Sequence, residues 1–410
     1  MGNKKLTSKT PELPQTKGTD IPFDKDAEYA LNTIGRILQK GVNDKATDIH
    51  FESFKKGLRI RYRTDGVLHE GEQLPTELGE AVISRIKIMA NLNPHEKNIL
   101  ENGRILLNVK GKELDARVSI APCITGESAV MRILSREKCL MDMNGLGLTK
   151  ANLEKAAKWC KKHDGLIIVS GPSGSGKTTT LYSMLQEMND PKLKITTVED
   201  PVECQIEGVN QLQVNIQSGI TFSAALRNQL RQDPDTMMCG EIRDLDTAYL
   251  LVRAALTGHL ALTSLHTRNA AETIRRLLDM GVEPFLINSV NPCVISQRLV
   301  RIICRDCITE YKPEEWAADL TREYKDMKFF KGKGCAKCYG FGYRGRTAIH
   351  ELLELDDNMR RLIANNAGLE ELRDQATKSG MITMRQDGFE KAKQGITTLE
   401  EVLRACAIAG

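Results

Sequence analysis

No stretch of the 410 residues approaches the ~18 consecutive apolar residues that a membrane-spanning helix needs, so no segment reads as a span. The opening Met1-Gly-Asn-Lys-Lys has charge but no apolar run behind it, which does not read as a secretory signal. Leu6 stands where a myristoylation motif requires serine or threonine. Aromatic residues make up only 5% of the chain, and the net charge of +4 is spread among interspersed signs. A basic stripe with interleaved aromatics, the usual mark of a nucleic-acid groove, is therefore missing. These absences point to a cytoplasmic protein with no direct membrane insertion and no nucleic acid expected as a partner.

The most informative segment present is Gly171-Pro172-Ser173-Gly174-Ser175-Gly176-Lys177-Thr178. It directly follows the apolar run Leu166–Val169 and directly precedes a helix-compatible stretch that starts at Thr179. Strand, glycine loop and helix in that order make a nucleoside-triphosphate site, with ATP or GTP as ligand. Glycines let successive N–H groups turn inward on the phosphates, and the helix aims its positive end at the same charge. Lys177 supplies a cation for the β/γ-phosphates, and the Thr178 hydroxyl suits Mg²⁺.

Pattern changes divide the chain. Residues 1–26 are polar, Lys- and Pro-bearing, and read as a disordered tail. Residues 27–137 combine a helical face (Leu31, Ile34, Ile37, Leu38, Val42), the alternating strand Leu58–Arg63, a helix near 77–91, a hairpin around Lys110-Gly111-Lys112 and strands at 114–120 and 128–134. Residues 138–300 alternate apolar runs (166–169, 195–198, 236–239, 260–263) with helical segments, which predicts an α/β fold with a parallel, doubly wound sheet. Its ligand crevice belongs at the carboxyl ends of those strands. A cysteine-bearing region, 301–345, and a C-terminal helical region, 346–410, complete the chain.

Carboxylates cluster where that crevice is expected. Glu199, Asp200 and Glu203 close the second core strand, a pattern suited to Mg²⁺ or to orienting an attacking water, though a polar strand exit would look the same. Glu241 follows Gly240 after the third; a glutamate favoured at a helix start is the alternative. His259 and His266 bracket the fourth, and His266, at the carboxyl end, is placed to sense a γ-phosphate. Seven of the eleven cysteines are scattered, but Cys304, Cys307, Cys335 and Cys338 form two CxxC pairs with 27 residues between them. Four thiolates on two glycine-flanked knuckles satisfy tetrahedral Zn²⁺, with a redox CxxC as the other reading. The long spacer requires an inserted helical segment.

In this order these blocks resemble the secretion ATPases that power type II secretion and type IV pilus assembly. The resemblance covers about residues 27–405 and includes Ala46-Thr-Asp-Ile-His-Phe-Glu52, Arg61-Tyr-Arg-Thr-Asp-Gly66 and the closing Gly395-Ile-Thr-Thr-Leu-Glu-Glu-Val402. It implies a PAS-like N-terminal domain, a RecA-like ATPase domain and a homohexameric ring. It implies nucleotide contacts for Arg117 and Arg132, γ-phosphate sensing for Arg227 and Arg231, a general-base role for Glu199 and an essential acid at Glu241. The implied partner is an inner-membrane platform protein, to which the ATPase is recruited peripherally. Family members often carry a further N-terminal docking domain, whereas only the tail precedes Tyr29 here, so contact through 27–137 and the zinc region is expected. Three alternatives stand beside this reading. The retraction branch of the superfamily lacks the four cysteines; an ATP-binding scaffold would not need Lys177, Glu199 and Glu241 together; a nucleic-acid translocase would use the same RecA-like core.

Overall fold

The alternating segment Leu58–Arg63 lies within strand β2 (Gly57–Thr64) of a six-stranded antiparallel sheet. The computed structural model describes residues 25–109, 112–134, 140–312 and 328–407, and the chain divides into units 1–134 and 135–410. The expected tail, the turn at 110–111 and the helical insert between the cysteine pairs lie outside the described residues. In the first unit β1 (Asp48–Phe54), β2, β3 (Val67–Leu74), β4 (Glu101–Val109), β5 (Lys112–Cys123) and β6 (Gly126–Leu134) run in the order β3-β2-β1-β6-β5-β4. Helices α1 (Lys25–Asn43) and α2 (Thr76–Met89) bury Ile34, Ile37, Leu38, Val82, Ile83 and Ile86. Their partners are the period-two residues Ile49, Phe51, Ile60 and Tyr62 of one sheet face. Strand β3 carries no apolar alternation, because only Leu74 of that edge strand is buried.

The second unit is an α/β layer structure. After α3 (Lys150–Trp159) come β7 (Gly165–Ser170), α4 (Lys177–Met188), β8 (Ile195–Glu199), β9 (Val209–Gln213), α5 (Phe222–Gln229), β10 (Thr236–Cys239) and α6 (Leu245–Leu256). They are followed by β11 (Leu260–Leu265), α7 (Ala270–Asp279), α8 (Pro284–Val290) and β12 (Cys293–Ile303). A small pair, β13 (Ile308–Tyr311) and β14 (Phe329–Gly332), precedes β15 (Tyr343–Leu353). The sheet order is β15-β12-β7-β11-β10-β8-β9, parallel from β12 to β9 with β15 antiparallel on β12. The expected boundaries at 300/301 and 345/346 thus fall inside β12 and β15. Residues from 346 first complete a core strand before turning helical.

Both faces of this sheet are covered. Leu166 and Ile168 of β7 point into the core that holds α5 to α8, while Ile167 and Val169 point to α3 and α4. Runs that are apolar at every position are the mark of a strand buried on both sides. Helices α9 (Asp357–Ala364), α10 (Leu369–Lys378), α11 (Met384–Lys393) and α12 (Leu399–Ala407) close the chain.

Glu401 clamps α12 to β12. It is 1% exposed, and it accepts from the Arg301 backbone (3.0 Å), the Arg301 guanidinium (2.7 Å) and Arg404 (3.0 Å). Burial alone would raise the pKa of this carboxyl; the Arg301 and Arg404 donors overcome burial and bring it down to about 2. A folded pKa below the unfolded value stabilises above the unfolded pKa, and that stability is lost as pH falls through the folded one. Glu401→Gln is therefore expected to cost about 3 kcal/mol at pH 7 and to flatten the loss of stability from about pH 4.5 to 2. Denaturant titration across that range measures both effects.

Candidate functional site

The phosphate loop leaves β7 at Gly171 and enters α4 through Gly176, whose φ of 91° forms a left-handed N-cap. A Cβ on Gly171 would lie 2.6 Å from the Gln297 carbonyl and 2.4 Å from Ser175 Oγ, so only glycine fits there. The Ser175 hydroxyl, packed under Gly171, is buried and has no hydrogen-bond partner among the described residues. Lys177 Nζ donates to the carbonyls of Gly171 (2.9 Å) and Pro172 (3.2 Å), which keeps its charge over the loop. Burial lowers its pKa to about 8; Glu241 pulls it back up, and Arg298 pushes it further down.

From Lys177 a polar chain crosses the sheet. Its ammonium is 3.5 Å from His266 Nδ1, and His266 Nε2 is 3.1 Å from Glu241 Oε2. A cation facing Nδ1 makes that nitrogen the acceptor, so Nε2 carries the hydrogen toward Glu241. Glu241 Oε1 accepts from Arg243 Nε, and Arg243 also pairs with Asp200 at 3.0 Å. Burial opposes ionisation of Glu241, but Arg243 and His266 outweigh it and lower its pKa. The groups follow β7, β11, β10 and β8, four adjacent parallel strands, in strand order. This is the carboxyl-end crevice that the alternating sequence pattern predicts.

The remaining expected residues fall elsewhere. Glu199 is buried, and both its oxygens are engaged: Oε1 accepts from Thr197 (2.6 Å) and Gln211 (3.1 Å), Oε2 from the Tyr182 hydroxyl. Asp200, its neighbour, is the carboxylate of that strand end that joins the chain across the crevice. Pro172 and Thr179 lie half-buried, and Ser173, Gly174 and Thr178 exposed, in the loop and the first turn of α4. Arg227 grips both oxygens of Asp246 (2.5 and 2.7 Å), and Arg231 donates to the Arg227 carbonyl at 2.8 Å. His259 caps the end of α6 through Ala254 O and Thr257. In the first unit Arg104, Arg117 and Arg132 stand opposite one another across β4, β5 and β6. Asp115 pairs with Arg104, and Asp48 accepts from Arg132 Nε at 2.9 Å. Like charges placed opposite one another destabilise a sheet, and the carboxylates of Asp115 and Asp48 offset that repulsion here.

The four cysteines come together. Their sulfurs all lie within 4.8 Å of one another, with Cys304–Cys335 and Cys307–Cys338 at 3.8 Å and Cys335–Cys338 at 3.7 Å. A disulfide needs about 2.05 Å, whereas a Zn–S bond near 2.3 Å gives a tetrahedral edge of roughly 3.8 Å. The donor set therefore fits a closed tetrahedral metal site. Burial resists thiolate formation at Cys338, but the N–H groups of Cys335 and Gly342 prevail and bring its pKa to about 7. Lys337 and Asp306, one from each knuckle, pair at 2.5 Å. A Cβ on Gly332 would sit 2.0 Å from the Gly342 carbonyl, so the knuckles close only with glycine there. Purified without chelator, the protein is expected to carry about one zinc per chain, and Cys304→Ser to lose it while leaving nucleotide affinity unchanged. Elemental analysis beside a nucleotide-binding titration checks both.

A glycine loop between a core strand and its helix, with His and acid loops on the neighbouring strand ends, defines a P-loop nucleotide-binding protein with a RecA-like core. More particularly, the chain belongs to the family described as Type II/IV secretion system protein, whose model matches residues 24–404. It is 49% identical to the type II secretion system protein E of Xanthomonas campestris pv. campestris over 91% of this chain and 67% of that one. It is 44% identical to the type II secretion system ATPase E of Vibrio cholerae, over 96% and 78% respectively. With the type IV pilus assembly ATPase PilB of Thermus thermophilus it shares 42% identity over 93% of this chain and 43% of the relative. Among solved structures, the pilus retraction motor PilT with bound ADP superposes with a TM-score of 0.62 at 28% identity, covering 91% of this chain and 96% of that one.

Proposed function

We propose that this protein is an ATP-hydrolysing motor that powers assembly of a type IV pilus or a type II secretion pseudopilus at the bacterial inner membrane. The observation that carries the reading is the ordered chain Lys177–His266–Glu241–Arg243–Asp200 beside the glycine loop. It offers a fixed cation for the phosphates, an imidazole aligned by a carboxylate, and an acid whose charge is held by its neighbours. Identity favours assembly over retraction: 42% to the assembly ATPase against 28% to the retraction motor.

In this reading the loop residues Gly171–Thr179 hold the triphosphate, and His266 meets the γ-phosphate. Glu241 keeps its charge on the attacking-water side. Glu199 serves as general base once one of its hydrogen bonds to Tyr182 or Thr197 opens. The exposed Thr178 hydroxyl, with the Asp200 and Glu241 carboxylates across the crevice, makes an oxygen donor set suited to Mg²⁺, which neutralises phosphate charge when bound. Arg227 and Arg231 act on the γ-phosphate, and the ladder with Arg117 and Arg132 takes nucleotide phosphate within a homohexameric ring.

Two substitutions separate affinity from chemistry. Lys177→Ala is expected to abolish measurable ATP binding, while Glu241→Gln binds ATP within about threefold of wild type and loses at least a hundredfold in kcat. Binding titration and steady-state phosphate release decide it; wild-type turnover by Glu241→Gln removes that residue from the mechanism.

No helix among the described residues is long and apolar enough to cross a membrane. In this reading recruitment runs through a polytopic inner-membrane platform protein. Expressed alone, the protein is expected in the cytoplasmic fraction; co-expressed with that partner, part of it moves to the membrane fraction. Firm membrane association in cells lacking every pilus and secretion component contradicts this.

A further inference from the structure

Strand β12 places three consecutive polar residues, Ser296, Gln297 and Arg298, in the middle of an apolar run; all are buried, Gln297 and Arg298 at 1% and 4% exposure. Successive side chains of a strand point to opposite faces of the sheet, and here the two faces carry the two halves of the nucleotide site. On one face Gln297 holds the phosphate loop at both ends of its amide. Its Nε2 donates to the Ser175 carbonyl (2.7 Å), and its Oε1 accepts from Thr180 Oγ1 (2.8 Å) in the first turn of α4. Its backbone carbonyl is the group that a Cβ on Gly171 would strike.

On the other face Arg298 holds the loop that follows β11. One guanidinium nitrogen donates to the Arg268 carbonyl (2.7 Å), two residues beyond His266, and the other returns to the Gln297 carbonyl (3.0 Å). Glu351 and Glu272 act on Arg298 electrostatically, but among the described residues neither forms an ion pair with it, and its Nε is buried without a partner. Burying a cation whose counter-charges stand at a distance is costly. That cost goes with its contacts: two backbone carbonyls, one beside the phosphate loop and one in the His266 loop. Glu351 holds the same loop from β15. In the β12–β15 register it faces Ser296, which puts it on the Arg298 side, and it accepts from the Ala270 amide at 2.6 Å.

We propose that Gln297 and Arg298 are positioning residues. Gln297 sets the phosphate loop, Arg298 sets the His266 loop, and the peptide between them fixes the Lys177–His266 separation on which turnover depends. The claim about turnover rests on the hydrolytic reading above; the claim about the phosphate loop does not. Because the two side chains act on different loops, their removal leaves different signatures. Losing Gln297 loosens the loop that meets nucleotide in the ground state. Losing Arg298 displaces a group that acts in the transition state.

The test uses the full chain and compares wild type with Gln297→Met, Arg298→Met, His266→Ala and the double variant Arg298→Met/His266→Ala. A fluorescent ATP analogue gives Kd, and phosphate release gives kcat and KM. Gln297→Met is expected to raise Kd about tenfold with kcat at saturation within about threefold, since two neutral hydrogen bonds are lost. Arg298→Met is expected to keep Kd within about threefold and to lower kcat about tenfold. The double variant is expected to match His266→Ala within about twofold, because Arg298 acts through His266. Should Arg298→Met fail to fold, Arg298→Lys serves in its place: its single ammonium cannot reproduce the guanidinium's fork, and a smaller kcat loss with unchanged Kd is expected. Wild-type Kd in Gln297→Met, multiplying losses in the double variant, or a Kd change in Arg298→Met as large as its kcat change each overturns the proposal. A wild-type chain that binds ATP without turnover counts against the hydrolytic reading alone, and the Gln297→Met Kd then decides the positioning claim.

Discussion

The parallel order β7–β11–β10–β8 is the constraint on which the site depends. It delivers four loops to one edge of the sheet in the sequence cation, imidazole, carboxylate, guanidinium, carboxylate, so that each group meets a complementary neighbour. The ion pairs do not hold this order. Glu241, Arg243 and Asp200 are partly exposed, and such pairs are worth at most about 1 kcal/mol each. The order is held by strands whose every residue is buried, with each apolar side chain contributing ~1.5–3 kcal/mol. A slip of one residue would exchange Leu166 and Ile168 for Ile167 and Val169 between two differently shaped cores. Packing sets the register, and the electrostatics of the crevice follow from it.

The first unit shows the opposite balance. Its sheet tolerates Arg104, Arg117 and Arg132 side by side, with Asp115 and Asp48 at the ends of the row as compensation. By contrast, the buried Lys87 of α2 is fully matched, pairing with Glu101 at 2.7 Å and Glu127 at 2.5 Å. One charge group is buried within the fold, and the other lies at the surface, where Arg104 and Arg132 are exposed.

Much of this was legible in the sequence. The phosphate loop, the four central strands and the cysteine quartet announce themselves through local pattern: an apolar run before a glycine loop, strand-length runs between helices, paired CxxC. What stayed hidden depends on contacts far apart in sequence. Strands β12 and β15 were obscured because Ser296, Gln297, Arg298, His350 and Glu351 interrupt their apolar runs, although every one of them is buried. Gln297 reaches Ser175 across 122 residues, and Ala270 reaches Glu351 across 81. Polar residues inside an apolar strand were the available signal. Glu199 closes its strand where the sequence pattern puts it, but the Tyr182 hydroxyl that occupies it comes from α4, a contact that depends on how α4 packs against β8.

The β12–β15 hairpin also bears on how this architecture could change over evolutionary time. The cysteine knuckles hang from its far end, beyond Ile303 and Tyr343, which already face each other as strand partners. Gln297 lies six residues away, roughly 20 Å along the strand at about 3.3 Å per residue. A segment whose two ends are already adjacent can be excised and replaced by a short turn, or acquired in one event, without shifting any pair between Val294–Leu353 and Arg301–Arg346. The insert is nevertheless tied to the fold, because Phe329 of β14 is buried against Phe389 of α11 and Val402 of α12, and the Tyr311 hydroxyl of β13 donates to Glu400, so its loss would uncover that helical face.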